Sequence, residues 1–377
     1  MPLSLHNNTA ALATQRYIAK ASDDFNSSIL KLSSGKKINS AKDDAAGLQI
    51  ANRLDVQSRG LDVAAKNVSD GVAIVQTAEA SMQQLSGILE DMRDQSLQAA
   101  NGATSITDRK AIQKNIQALK EEFHSIASSS NFAGMNLLDG TYGKKALQVG
   151  SNNETILLEL KDMRSSTSEM GGTIFIAKEA KGEGWTVEGD SHKLGIDATD
   201  RAGNEVSINI EAKVGDDIEE LATYINGQQE LVTASVSGAG ELQMFVNSSI
   251  AEGEVSFSGS LAREFNFDSG RKTIVENIDV TSTGGAQEAV SVIDSALSYV
   301  DGHRADMGAL HNRFDRMLSN LTNMHENISA SKGNRTDTDY AKETTEMTRA
   351  KILQQSSSSI LAQARLIPNA ALNLLNE

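Results

Sequence analysis

In the stretch Ile293–Ile328, IDSALSYVDGHRADMGALHNRFDRMLSNLTNMHENI, one set of mostly apolar residues recurs in alternating steps of three and four positions. This spacing places them on one stripe of an α-helix and is typical of a coiled-coil seam. A helix over residues 286–332 would be roughly 70 Å long at 1.5 Å per residue, so we expect a partner of similar length. The predicted rod seam comprises Met307, Leu310, Phe314, Met317, Leu321, Met324 and Ile328.

The first third of the chain supplies this partner. Residues 45–100, followed after the break NGAT by Ser105–Ser129, carry apolar residues on one helical stripe. Only two prolines occur, Pro2 and Pro368, so neither region contains a helix breaker. We therefore expect both terminal thirds to pair into a helical rod. The stripe comprises Leu48, Leu54, Leu61, Val68, Val72, Val75, Met82, Leu85, Leu89, Met92 and Leu97.

Between the helical regions the pattern changes to strands. Residues 171–268 show period-two alternation, at Val206, Ile208 and Ile210 for example, with recurrent glycine. One helix is predicted there, in Gly215–Gln228, with Asp216 or Asp217 as N-cap and Gly227 at its end. These features predict a separate α+β module inserted between the helical thirds.

A second β element is predicted before this module. Asn131–Leu160 contains the turn dipeptides Asp139-Gly140 and Tyr142-Gly143 between apolar runs. We expect one or two β-hairpins that pack beside the rod.

The two ends of the chain are predicted to be weaker helices. Leu353, Ile360, Ile367 and Leu374 are seven residues apart, with Ser or Ala in the alternate positions. Leu12, Ile18, Phe25, Ile29 and Leu32 lie in a similar setting among Asn, Ser and Thr. Such helices bury little apolar surface to offset their ordering entropy, so we expect them to be frayed when isolated.

Composition excludes several classes of function. Lys and Arg number 35 against 50 Asp and Glu, a net charge of −15, so no general attraction to nucleic acid or anionic lipid is expected. Zero cysteines exclude a disulfide frame and a thiolate metal site.

His325-Glu326 resembles the start of a zinc-protease motif, but Ser329 stands where the second His is required. No catalytic, cofactor or metal-binding residue is assigned, and neither a secretory signal nor a membrane span is predicted.

Several motifs in order resemble those of bacterial flagellins. They are TQRYI at Thr14–Ile18, LSSGKKINSAKDDAAGLQIANRL at Leu32–Leu54, RADMGALHNRF at Arg304–Phe314, DTDYAKETTEMTRAKILQQSSSSILAQA at Asp337–Ala364 and the terminal NLLNE. The similarity covers both terminal thirds, whereas the middle of the chain lies outside it.

The resemblance implies a mainly α protein with an inserted α+β domain. Its parts are long coiled-coil helices from both termini, a β-hairpin beside the rod and a β-rich variable outer domain. It implies terminal arms of a filament's inner core at 1–44 and 335–377, a rod with its hairpin at 45–165 and 276–334, and the outer domain at 166–275.

The function implied is that of a structural subunit polymerising head-to-tail into the helical flagellar filament for swimming. The resemblance also implies export without a cleaved signal peptide, an extracellular location and no enzyme activity. The implied partners are further copies of the chain, the flagellar export apparatus and its chaperone, and the filament cap and junction proteins, with no nucleic acid and no membrane insertion. The alternatives are a hook–filament junction protein of the same family and a filament-borne adhesin.

The resemblance also assigns roles to residues. Packing in the polymer core falls to Leu12, Ile18, Phe25, Ile29, Leu32, Leu353, Ile360, Ile367 and Leu374. The linker between arm and rod contains Ser33, Gly35, Asp43, Asp44 and Gly47.

The chemistry of the linker residues fits that role. The linker glycines permit tight turns, and the paired Asp residues favour a helix start. An acid–base pair or a cation site at Asp43 and Asp44 is the alternative.

A further stretch concerns host recognition. Residues 91–95, DMRDQ, match the place where many flagellins are recognised by a Toll-like receptor through an Arg-x-Arg-x-Leu pattern. Arg93 is kept, but Asp91 replaces a cation and Gln95 replaces an apolar residue. The resemblance therefore implies weakened receptor recognition.

Overall fold

The computed structural model describes residues 8–150, 154–182, 184–199, 205–228, 232–248 and 255–375, without the side chains of 367–375. Two compact units are present. The terminal unit comprises Met1–Lys66, Val149–Glu154 and Leu318–Glu377, and the central unit comprises Asn67–Gln148 and Thr155–Met317. The chain is mainly α with an inserted α+β module, as the sequence predicts.

The elements follow the predicted order. They are α1 (Thr9–Ser34), α2 (Ala45–Ala100), α3 (Ile106–Ser129), β1 (Asn131–Phe132), β2 (Met135–Asn136), β3 (Gly143–Gln148), β4 (Thr155–Leu160), β5 (Gly171–Ile176), β6 (Lys193–Thr199), β7 (Glu205–Glu211), α4 (Ile218–Gln228), β8 (Val232–Val236), β9 (Leu242–Asn247), β10 (Ser256–Ser258), α5 (Ser260–Phe265), β11 (Arg271–Ile274), a 3-10 turn (Val275–Asn277), α6 (Thr283–Thr336) and α7 (Tyr340–Leu375).

In the terminal unit, α1 and α7 pack side by side and antiparallel. At one end Asn8 Nδ2 donates to the backbone oxygen of Ala364 at 2.8 Å, and at the other the Tyr340 hydroxyl donates to the oxygen of Leu32 at 3.2 Å. The facing side chains are buried or half-buried and alternate in steps of three and four, as a heptad seam requires. They are Ala11, Thr14, Ile18, Ala21, Phe25, Ser28 and Leu32 on α1, and Glu343, Met347, Ala350, Gln354, Ser357, Leu361 and Ala364 on α7.

Polar contacts join α2 and α6 within the same unit. The Lys332 ammonium donates to the Asp55 carboxylate, and His325 Nε2 lies 3.2 Å from Asp62 Oδ1. Near these contacts, Leu61 of α2 and Leu321 of α6 are both 3% exposed. This part of the predicted seam therefore combines buried apolar residues with polar contacts to α2.

The rod of the central unit is formed by α2, α3 and α6 with the β3–β4 hairpin. Phe314 is fully buried against α2 at Gly71, where an added Cβ would lie 3.2 Å from its Cζ and 3.0 Å from Leu147 Cδ1 of β3. Asn67 Nδ2 donates to the Gln148 oxygen at 2.9 Å. Gly71 thus lets one helix and one strand approach α2 at the same level.

Two antiparallel strand pairs are present where the sequence predicts one or two hairpins, but the two turn dipeptides do not join their strands. β1 and β2 are antiparallel and are joined through Ala133 and Gly134, which both have positive φ. β3 pairs with β4 in antiparallel register. Asp139-Gly140 and Tyr142-Gly143 instead lie in the connection from β2 to β3, where the Asp139 carboxylate accepts a bond from the Thr141 amide.

The outer module, residues 171–274, has two antiparallel sheets, of order β11-β5-β9-β8 and β10-β6-β7. Its apolar core comes from both sheets, α4 and α5, with Leu221, Met244 and Phe265 fully buried. Asp217, one of the two predicted caps, accepts from the Glu220 amide at 2.8 Å, and the Glu220 carboxylate accepts from the Asp217 amide at 3.2 Å. This reciprocal capping box sets the start of α4.

Candidate assembly surface of the terminal helices

Large apolar side chains remain uncovered on the paired helices α1 and α7. On α1 they are Leu12, Tyr17, Ile29 and Leu30, exposed by 43–67%, and on α7 they are Ile352, Leu353, Ile360 and Leu366, exposed by 52–63%. Scattered apolar residues are normal on a surface, but a concentration of them on two helices is typical of a surface that another protein covers.

The structure divides the residues predicted to pack in the polymer core into two groups. Ile18, Phe25 and Leu32 are half-buried in the seam between α1 and α7, whereas Leu12 and Ile29 are exposed. Leu353 and Ile360 are exposed by 52% and 54% and lie beside the α7 seam. The side chains of Ile367 and Leu374 lie outside the described residues.

The first part of the linker follows directly on α1. Ser33 is exposed in the last turn of the helix, and Gly35 caps the helix with a φ of 70°, in the left-handed region that favours glycine. The Gly35 oxygen accepts from the Thr338 amide at 2.9 Å, and the Lys37 amide donates to the Thr336 oxygen at 2.8 Å. The linker is therefore held by backbone hydrogen bonds to the segment that precedes α7.

Asp43 closes the turn in the middle of the linker. Its carboxylate accepts from the amides of Asn39 at 3.0 Å and Ser40 at 2.9 Å, and from the Ser40 hydroxyl at 3.1 Å. The bonds from the Asn39 and Ser40 amides lower the pKa of the Asp43 carboxyl. This carboxylate is thus occupied by local donors.

Asp44 caps the start of α2. Its Oδ1 accepts from the Gly47 amide at 2.8 Å, and a Cβ on Gly47 would lie 2.3 Å from Asp44 Oδ2 and 2.8 Å from Ile38 Cδ1. Gly47 is therefore needed for close approach to the cap and not for a turn. Among the described residues, no group of three or more His, Cys, Asp or Glu is placed to hold a metal ion.

The predicted rod seam is largely buried. Met307, Phe314 and Leu321 are buried, Leu310, Met317 and Ile328 are half-buried, and Met324 is 37% exposed. On the facing stripe of α2, Leu97 is 45% exposed at the upper end.

The predicted receptor stretch lies on α2 of the central unit. Arg93 is half-buried, and its Nε donates to Asp294 Oδ1 of α6 at 2.6 Å. This bond raises the pKa of the Arg93 guanidinium. Asp91 is exposed, while Gln95 is half-buried. The cation that the motif retains is therefore engaged within the subunit.

Three polar side chains of α3 that were not predicted from the sequence hold the rod together. Arg109 is 7% exposed and caps α2, because its Nε donates to the Ala99 oxygen at 2.8 Å. Lys120 is 8% exposed, and its Nζ donates to the Glu276 oxygen at 2.8 Å. Gln113 Oε1 accepts from the Val280 amide at 2.7 Å.

A sequence signal for these residues does exist. Arg109, Gln113 and Lys120 fall on the same helical stripe as Ile112 and Ile116, which are buried. Desolvation by burial lowers the pKa of Lys120.

Comparison with protein families identifies the helical regions. The profile of the bacterial flagellin N-terminal helical region matches residues 5–143, and that of the C-terminal helical region matches 290–375. The chain belongs to the bacterial flagellin family. The flagellin hook IN motif matches residues 194–248, from β6 to β9 of the outer module of this flagellin.

Flagellins are also similar to this one over their whole length. It is 54% identical over 377 residues to polar flagellin B/D of Vibrio parahaemolyticus and 52% identical over 376 residues to flagellin D of Vibrio cholerae, with all of each chain covered. The solved structure of FliC from Burkholderia pseudomallei is 23% identical and covers 64% of this chain and 99% of its own, at a TM-score of 0.40.

The chain is accordingly a structural subunit of the bacterial flagellar filament. No helix in the described part of this flagellin is both long and apolar enough to cross a membrane.

Proposed function

We propose that α1 and α7 form the axial core of the filament and that their exposed apolar side chains are the contacts between subunits. The observation that carries this proposal is the position of Leu353 and Ile360, which are more than half exposed and one heptad apart on the same helix. An exposed stripe at this spacing fits the groove of another helix. Because the stripe differs from the surface it would contact, such contacts are heterologous and extend into a helical polymer.

The division into parts follows from the same proposal. Residues 1–44 and 335–377 are the inner-core arms, 45–165 and 276–334 form the rod with its hairpin, and 166–275 is the outer domain. The bonded linker around Gly35 and the capped start of α2 support the first boundary. The separate apolar core of the outer module supports the last.

Partners and location are part of the proposal. The subunit is exported without a cleaved signal peptide by the flagellar export apparatus, with a chaperone, and it functions outside the cell without enzyme activity. There it contacts the filament cap and junction proteins. The family membership supports these assignments by analogy.

Host recognition at residues 91–95 is proposed to be weak. The Asp294 carboxylate already binds Arg93, and exposed Asp91 presents a negative charge beside it. A receptor surface that binds cations there would have to compete with Asp294 for Arg93. The negative charge of Asp91 would also repel such a surface more than a neutral residue would.

Seeded growth tests the main proposal. Purified monomer is added to sheared filament seeds, and filament length is followed by negative-stain electron microscopy. Long extensions are the expected result. Growth that stops at short caps on the seeds would favour the alternative, a junction protein.

A further inference from the structure

Two Asn-Gly pairs occur in the sequence, Asn101-Gly102 and Asn226-Gly227. In such a pair the side-chain amide of asparagine is next to the backbone nitrogen of a residue without Cβ, so that nitrogen can approach and attack the side-chain carbonyl carbon. All four residues are exposed. Exposure therefore does not distinguish the two pairs, but their hydrogen bonds do.

Asn101-Gly102 lies in the turn that joins α2 to α3, outside both helices. Asn101 Oδ1 accepts from the Ala103 amide at 3.0 Å. The ring that this bond closes contains both Asn101 Cγ and the Gly102 nitrogen, so the two reacting atoms lie within one small loop. The Ala103 N–H also donates to the oxygen on which negative charge develops when Cγ is attacked, and a donor at this place stabilises that charge.

Asn226-Gly227 is held by two elements of the outer module. Asn226 Nδ2 donates to the Ala234 oxygen at 2.8 Å, and Asn226 Oδ1 accepts from the Ala234 amide at 2.6 Å, so the side chain is tied to β8. Gly227 lies within α4, which ends at Gln228. Attack on Asn226 Cγ would require these hydrogen bonds and the end of the helix to open first.

We propose that Asn101 is a site of spontaneous deamidation in the folded subunit and that Asn226 is protected from the same reaction. The Gly102 nitrogen forms a bond to Asn101 Cγ, which closes a succinimide ring. The bond from Cγ to Nδ2 breaks, and Nδ2 leaves as ammonia with the proton of the Gly102 amide. Water then opens the ring at either carbonyl carbon and leaves aspartate or isoaspartate, so the reaction consumes one water, releases one ammonia and needs no oxidant.

The reaction changes the joint between α2 and α3, because Arg109 binds there. Arg109 Nη2 donates to the Asn101 oxygen at 3.0 Å, and Arg109 Nε donates to the Ala99 oxygen at 2.8 Å. In isoaspartate the carbonyl group that Nη2 binds becomes a free carboxylate, and the main chain runs through Cβ and is one methylene longer. The product therefore pairs a new negative charge with the guanidinium that caps α2.

Ageing of the purified full-length subunit at mildly alkaline pH tests the inference. Trypsin then releases residues 94–109 and 214–263, and fragment mass spectra assign each deamidation to a residue. In the folded subunit we expect Asn101 to react at least about tenfold faster than Asn226, because only Asn226 must first be freed from a helix and a strand. In guanidinium chloride, which removes this difference, the two rates should agree within about threefold.

Either of two results with the folded subunit would overturn the inference. One is no deamidation at Asn101 over a period in which the denatured chain reacts, and the other is reaction of Asn101 and Asn226 at equal rates. Each would mean that the turn and the helix do not control the reaction as proposed.

Two variants identify the reacting atoms. Asn101→Gln moves the amide one methylene further away and should leave position 101 unmodified over the same period. Gly102→Ala hinders the approach of the nitrogen but fits the fold, because its Cβ meets nothing within 4 Å and Gly102 has no left-handed φ. We expect Gly102→Ala to react several-fold more slowly. An unchanged rate would show that the Gly102 nitrogen is not the attacking atom, and the inference would be wrong.

Discussion

Replacing Ile360 with Asp tests the assembly surface most directly. The side chain is 54% exposed in the subunit, so the free energy of unfolding of the monomer should change by no more than about 0.5 kcal/mol. If neighbouring subunits cover it in the filament, each added subunit places an unpaired carboxylate among apolar atoms, at a cost of about 3 kcal/mol or more. This corresponds to subunit addition that is weaker by about 100-fold or more.

The assay measures elongation of wild-type seeds by purified Ile360→Asp monomer, with secretion from cells measured separately. Ile360→Val removes one methylene and should grow almost normally. Ser319→Asp adds the same charge to an exposed position of α6 and should also grow. If Ile360→Asp extends seeds at the wild-type rate, the α7 stripe is not part of the axial core and the proposal is wrong.

Three further predictions concern the terminal unit. Gly47→Ala places a methyl group 2.3 Å from Asp44 Oδ2, so it should disrupt the α2 cap and lower the free energy of unfolding by about 1 kcal/mol. Urea denaturation measures this, with Gly102→Ala as the control, because a Cβ at Gly102 meets nothing within 4 Å. The hydrogen bond from Lys332 lowers the pKa of Asp55, so the Asp55 carboxylate stabilises the fold above its unfolded pKa of about 3.9, and this contribution is lost as the pH falls through the lower folded pKa. Asp55→Asn should therefore flatten the acid side of the curve of melting temperature against pH. An unchanged curve would contradict this. Limited proteolysis of dilute monomer should cut α1 and α7 before the rod, because each terminal helix has little beyond the other to pack against, and equal protection of both regions would count against it.

The sequence predicts the rod well because its pattern has one solution. In α6 the stripe containing Met307, Phe314 and Leu321 is the only continuous apolar stripe, and these residues are buried. The terminal helix α7 is different, since two adjacent stripes repeat every seven residues there. The prediction used the apolar residues of one stripe, Leu353 and Ile360, whereas the seam uses the adjacent stripe, which includes Gln354 and Leu361.

Tertiary context explains the other differences. Asp139-Gly140 has the composition of a hairpin turn, but Asp139 binds the Thr141 amide within a connection instead. The apolar stripe of α3 indicates that Lys120 faces inward, but not that the carbonyl oxygens of residues 276 and 278 lie within 3.5 Å of its Nζ. Partners more than 150 positions away in the sequence leave no local signal, so such contacts cannot be found from spacing alone.

The outer module can be deleted because its two ends lie next to each other. Gly171 of β5 and Ile274 of β11 are cross-strand partners, so their Cα atoms are about 5 Å apart and a two-residue Gly-Ser linker can replace everything between Met170 and Val275. A deletion that stops at Asp268 would leave β11 without its partner strand. The apolar core of the module is its own, from Phe175 to Phe265, and leaves with it.

The deletion also removes contacts between the module and α6, where Gln243 Nε2 and Ser237 lie within 3.5 Å of the position of a Cβ at Gly284. The bond from the Ser295 hydroxyl to the Gly171 oxygen and the ion pair of Arg271 with Glu288 are removed, while Met170 and Val275 stay in place. Because α1 and α7 are untouched, we expect the shortened subunit to be secreted and to extend wild-type seeds into narrower filaments, with full-length subunits on the same seeds as the control for width. Secreted, folded protein that never extends a seed would mean that the outer module takes part in the contacts that build the filament.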